Sequence, residues 1–170
     1  MKITQEDFVA RVSPEKLADL MSDWEWLVGS GSKAVMVTAL GDAFVRRADD
    51  TFAYLNIAYG TLRKVAASAD GFGRKLSDAE FINEYFAPHV IGMFYEHGFE
   101  RLPENHCFSF RILPILGGEA DPSNIDVTDV DVHFSLAGQI HFQIKDLVPG
   151  TPIIIRGFQG IKQSNGEAGA

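Results

Sequence analysis

The sequence predicts an α+β fold, an antiparallel sheet of about four to six strands packed with helices in a single domain. Three observations carry this expectation. Residues 34–65 alternate apolar and polar side chains in short runs broken by Gly, Asp and Asn, as in an antiparallel meander. Helix-start signatures lie on both sides of that region. Of the 170 residues, 46% are apolar, with thirteen Phe and two Trp, which is enough apolar surface for one core without disulfides.

The amino-terminal elements read as two short helices. Thr4 with Asp7 forms a capping box, placing Phe8, Val9 and Val12 on a first buried stripe. Ser13 followed by Pro14 starts a second, with Leu17, Leu20 and Met21 facing inward. Trp24 and Trp26 then read as anchors of the helices on the sheet. In the meander, Val35, Val37 and Ala39 alternate until Gly41, and Ala43–Arg46 resumes. Asp49-Asp50 turns into Phe52–Leu55, and Asn56–Gly60 turns into Thr61–Val65.

Ser77-Asp78-Ala79-Glu80 reads as a capping box opening a helix with Phe81, Ile82, Tyr85 and Phe86 inward. Pro88 opens the next helix and Gly98 closes it. Residues 106–112 read as a strand and 113–124 as a loop. Residues 130–147 satisfy two patterns. Alternation allows a hairpin turning at Ala137-Gly138, whereas helical spacing groups His133, Leu136, Ala137, Ile140, Ile144 and Leu147. Gly138 costs a helix about 1 kcal/mol and Phe142 falls off the stripe, but Pro149-Gly150 is a natural stop. A helix from about His133 is favoured. The domain is expected to span residues 1–158, with 1–23 as a helical extension and 159–170 as a flexible tail.

The formal net charge is −8, which disfavours direct contact with nucleic acid and suits electrostatic steering of a basic protein partner. Cys107 sits in an apolar run and reads as a buried core thiol in a reducing compartment. The start MKITQEDF lacks the basic end and apolar stretch of a signal peptide, and no run approaches the about 20 apolar residues of a membrane span. A cytoplasmic protein is expected.

Motifs for chemistry are weak. His89 and His97, like His133 and His141, are eight residues apart, roughly two helical turns and too far for one zinc ion. In a strand, Asp129, Asp131 and His133 would share one face, a possible hydrolytic or ligand-binding arrangement. Residues 29–33 and 117–119 are glycine-rich but lack the spacing or basic residues of a phosphate loop. Neither a catalytic residue, a metal site nor a cofactor is assigned.

The segment 116–151 is the most distinctive, holding Glu119, Asp121, Asp126, Asp129, Asp131 and Asp146 against the single cation Lys145. With Val37–Phe44 and Gly60–Ala66, its blocks Leu116-Gly117-Gly118-Glu119, Asn124-Ile125, Val132–Ser135, Gly138–His141 and Lys145–Leu147 carry a resemblance. From about Trp24 to Ile153 the chain resembles a bacterial family found as the carboxy-terminal domain of immunity proteins that neutralise type VI secretion DNase toxins. Such immunity proteins often carry a further amino-terminal domain, where only residues 1–23 precede Trp24 here. The resemblance implies a non-catalytic protein that occludes a cognate toxin of the type VI secretion DNase kind, and no catalytic residues carry over. Glu119, Asp121, Asp126, Asp129 and Asp131 are the expected partner-binding residues. The alternative is a small-ligand-binding protein or hydrolase with its site near Asp129, Asp131 and His133. A third reading, a structural or regulatory subunit, would be marked by an exposed apolar patch.

Overall fold

A computed structural model describes residues 3–153. At its centre, four antiparallel strands follow one another in chain order: β1 (Lys33–Val37), β2 (Ala43–Arg46), β3 (Phe52–Asn56) and β4 (Thr61–Ala66). Alternation sends the β2 side chains to both faces, and both faces are covered. Ala43 and Val45 join Leu55, Trp24, Val28 and Phe134 in one core cluster. Phe44 points the other way, with ring centroids of Phe72, Phe81 and Phe86 at 5.1, 5.7 and 5.4 Å. These aromatics come from α3 (Ala69–Lys75) and α4 (Ala79–Phe86). Helix α3 escaped the sequence reading, because Gly71 and Gly73 weaken its helical signal and Phe72 is its one buried residue.

The meander, the helix opening near Glu80 and the proline-led helix agree with expectation. The cap of α4 is Asp78 rather than Ser77, its carboxylate accepting from the Glu80 N–H at 2.9 Å. Helix α5 (Pro88–Glu96) ends before Gly98, whose φ of +90° turns the chain away. It packs on a two-stranded sheet of β5 (His106–Phe110) and β6 (Ile125–Asp129), with Phe94 edge-on to Phe108 at 5.0 Å. Cys107 is fully buried, and desolvation pushes its thiol well above the ordinary range, as a core thiol requires.

The amino-terminal segment differs from the two helices expected. The Thr4–Asp7 capping box forms, but it closes only a 3₁₀ turn over Gln5–Phe8. Val9 then bridges Thr38, and the Ala10 N–H donates to the Val37 carbonyl at 3.0 Å. Extended pairing against the sheet end gives these backbone groups partners that a lone helical turn would leave open. The second helix, α1 (Pro14–Asp19), is present and proline-led, with Leu17 half-buried and Leu20 and Met21 buried just beyond it, and the one-turn α2 (Glu25–Val28) follows.

The last described helix settles the hairpin-or-helix question. Helix α6 runs Val130–Ile144, starting three residues before the expected His133. Its Gly138 fits because a Cβ there would lie 2.7 Å from the Asp23 carbonyl oxygen. The absent side chain lets α6 approach the backbone of the Ser22–Trp24 turn. Gly138→Ala would ordinarily strengthen a helix by about 1 kcal/mol. Here crowding against backbone outweighs that gain, and a net loss of about 1 kcal/mol in urea unfolding is expected. An increase in stability would show that α6 can shift off the turn.

Candidate functional site

The five carboxylates expected to meet a partner occupy one continuous segment but have different local fates. Asp129 is the N-cap of α6, accepting from the Asp131 N–H at 2.9 Å. Lys16 of α1 reaches across to both carboxylates, pairing with Asp129 at 3.3 Å and with Asp131. Burial works against its charge, yet these two carboxylates hold the Lys16 ammonium above its ordinary value. Asp126, on β6, lies 3.6 Å from the Arg111 guanidinium, and both side chains are exposed. Asp121 accepts from the Ser123 N–H at 2.9 Å, capping a short 3₁₀ turn, and Ser123 holds its carboxyl below the ordinary range. Glu119 is exposed and, like Asp121, makes no ion pair among the described residues.

One side chain ties together the ends of the loop that carries Glu119 and Asp121. Asn124 donates to the Ile112 and Glu119 carbonyls, both at 2.9 Å, and accepts from the Ile112 N–H at 3.0 Å. Gly118 lies against the same backbone, where a Cβ would fall 1.8 Å from the Ile112 oxygen. The Gly118…Asn124 block noted in the sequence therefore has a physical role: it closes the loop and presents its acids outward.

Asp129, Asp131 and His133 do not converge as the strand reading required. The strand ends at Asp129 and the helix begins at Val130. Residues two apart on a helix do not face each other. His133 turns inward, its Nε2–H donating to the Gly41 carbonyl at 2.9 Å. His141, two turns on, donates in the same way to the Ile57 carbonyl at 2.8 Å. Gly41 and Ile57 lie in the β1–β2 and β3–β4 turns, at the same end of the meander. Eight residues of helix span about 12 Å and two strand spacings about 10 Å, so α6 lies across the sheet end with one imidazole on each turn. These histidines are buried structural donors. Desolvation holds the His133 imidazole down at about 4 and also lowers that of His141.

A titratable group that the sequence did not single out lies beside His133. Asp42 is buried in the β1–β2 turn, accepting from the Tyr54 hydroxyl at 2.6 Å and the Ile57 N–H at 2.7 Å. Desolvation raises its carboxyl to about 6 despite those donors. Asp42 and His133 line a mainly apolar cavity of about 300 Å³ with Phe94, Phe108 and Ile125. Each is already engaged by internal hydrogen bonds. Among the described residues, no cluster of His, Cys, Asp and Glu is arranged to hold a metal ion. No helix among them is long and apolar enough to cross a membrane.

Residues 66–141 match the model of the family described as type VI secretion immunity protein Tdi1, C-terminal. This is the family that the sequence resemblance names, and the match includes all five carboxylates together with His133 and His141. No curated protein matches the chain. Among solved structures, that of Atu4351 from Agrobacterium tumefaciens is similar at a TM-score of 0.54 and 18% sequence identity. The likeness covers 79% of this chain and 68% of that one, and it shows a shared fold.

Proposed function

We propose that this chain, matching the Tdi1-type immunity family over residues 66–141, is a non-catalytic protein that binds and neutralises a secreted bacterial toxin. The family match carries the reading. The toxin is a type VI secretion nuclease in this proposal, met in the cytoplasm and blocked by occlusion of its nucleic-acid groove. Two physical features support it. The formal net charge of −8 favours encounter with a basic, nucleic-acid-binding surface. The candidate acid–base groups also have structural occupations: Asp42 and His133 satisfy turn backbone, and Asp129 and Asp131 hold Lys16.

Glu119 and Asp121 are the contact carboxylates without an ion pair among the described residues, Asp126 shares only an exposed one with Arg111, and Asp129 and Asp131 add to the same negative field from beside Lys16. The test is co-expression of this chain with each toxin-like gene adjacent to its own, scoring survival and co-purification. Specific rescue with a stable complex is expected. Within that complex, Glu119→Lys combined with Asp126→Lys should slow association about tenfold at low salt while leaving the thermal midpoint unchanged. Association unaffected by the double reversal would remove the acidic segment from the contact. Asp129→Lys is unsuitable for this purpose, because losing the α6 cap costs about 1 kcal/mol of stability.

A further inference from the structure

Apolar side chains are exposed on one side of the molecule. Every strongly exposed large apolar residue among the described residues except Val35 belongs to this region. Tyr59, Ile115, Leu147 and Val148 line a groove of about 840 Å³ beside the end of α6. Trp26 lines the same groove and packs against the ring of Phe142, which is 52% exposed, at 6.0 Å. Leu116 joins this groove to a second depression of about 500 Å³ containing Ile112, which is 54% exposed.

Acids frame these apolar residues. Asp126 lines the Ile112 depression, Asp121 lines the cavity that Tyr59 also borders, and Asp146 adjoins Leu147. Glu119 is exposed on the loop that also carries Asp121. The nearby cations Arg111 and Lys145 are paired with Asp126 and Asp146, leaving Glu119 and Asp121 without an ion pair among the described residues. An apolar centre with a charged rim is the anatomy of a protein–protein contact, with the centre setting how long a complex lasts.

We propose that this groove, lined by Tyr59, Ile115 and Leu147 and bordered by the exposed Phe142 packed on Trp26, is the toxin-docking surface. It accepts an apolar protrusion of the toxin whose surrounding lysines and arginines meet Glu119 and Asp121 first, with Asp126 and Asp146 already paired to Arg111 and Lys145. The inference rests on the immunity reading and adds the part of the contact that holds the complex together. Charge complementarity selects the occupant: Lys145 lines the groove, but around it the four carboxylates outnumber Lys145 and Arg111 on a chain of net charge −8, which disfavours a second copy and favours a basic nuclease.

The test uses the full chain and the toxin paired with it by the rescue assay. Phe142→Glu and Ile115→Glu should each weaken the complex about 30-fold or more, through faster dissociation, without lowering the thermal midpoint. Val35→Glu, a charge placed at the exposed apolar residue outside the groove, should leave affinity unchanged. Equal loss for Val35→Glu, or unchanged affinity for both groove variants, overturns the surface while the immunity reading stands. No complex with the unmodified chain overturns both. A lower thermal midpoint with unchanged toxin affinity would assign the groove to the chain's own residues after Ile153, and a dimer dispersed by the same variants would assign it to a second copy. Either result overturns the proposal.

Discussion

Trp24→Ala is expected to lower the unfolding free energy by about 3–5 kcal/mol, a large share of the stability of a domain. The indole is fully buried, and its Nε1–H donates to the Phe134 carbonyl of α6 at 2.9 Å. Its ring lies 5.4 Å from that of His141 and 6.1 Å from that of Trp26. Truncation therefore opens a cavity where α6, the Ser22–Trp24 turn and the sheet meet. Removing a buried Trp or Phe costs about 3–5 kcal/mol, against a total stability for a domain of about 5–15 kcal/mol. Trp24→Phe separates the contributions: it retains most of the packing and loses the hydrogen bond, worth about 1 kcal/mol. Urea unfolding of the two variants measures both. A loss below about 2 kcal/mol for Trp24→Ala would mean that α6 relaxes into the space, and its contact with the sheet is looser than described.

What the sequence made legible was local. The meander could be read because each strand alternates and each turn carries Gly, Asp or Asn, so periodicity and punctuation agree. The Asp78 and Pro88 helix starts were readable for the same reason. Helix α6 was ambiguous because two of its residues answer to something beyond the helix. Gly138 answers to the Asp23 backbone, and Phe142 leaves the buried stripe to lie exposed against Trp26. The Lys16 pairing with Asp129 and Asp131 joins residues more than 110 positions apart, and no spacing rule reports it. The acidic segment could thus be found from composition, whereas the division between pinned and free carboxylates could not. The apolar groove was hidden for a related reason, since Tyr59, Ile115 and the bordering Phe142 come from a turn, a 3₁₀ turn and a helix.

Lowering the pH from 7 to 5 is expected to shrink the penalty of His133→Gln by about 2 kcal/mol and to enlarge that of Asp42→Asn by about 1 kcal/mol. Desolvation depresses folded His133 to about 4, below the about 6.5 of an unfolded chain. Its contribution is fully present above about 6.5 and is lost as pH falls towards 4, because the unfolded chain takes up the proton first. Asp42 runs in the opposite sense. Its folded carboxyl is raised to about 6, above the about 3.9 of an unfolded chain. Its contribution is present below about 3.9 and is lost as pH rises through 6. In the unmodified chain the two nearly cancel between pH 4 and 6, so neither is visible until one is removed. His141, lowered by the same desolvation, adds to the histidine side in both variants and leaves the differences unchanged. Glutamine at 133 can still donate to the Gly41 carbonyl, which keeps the turn closed while removing the titration. Denaturant unfolding at pH 7 and 5 reads the effect. A His133→Gln penalty that stays constant would mean that water reaches the imidazole in the folded chain, and that the contact between α6 and the β1–β2 turn is open rather than sealed.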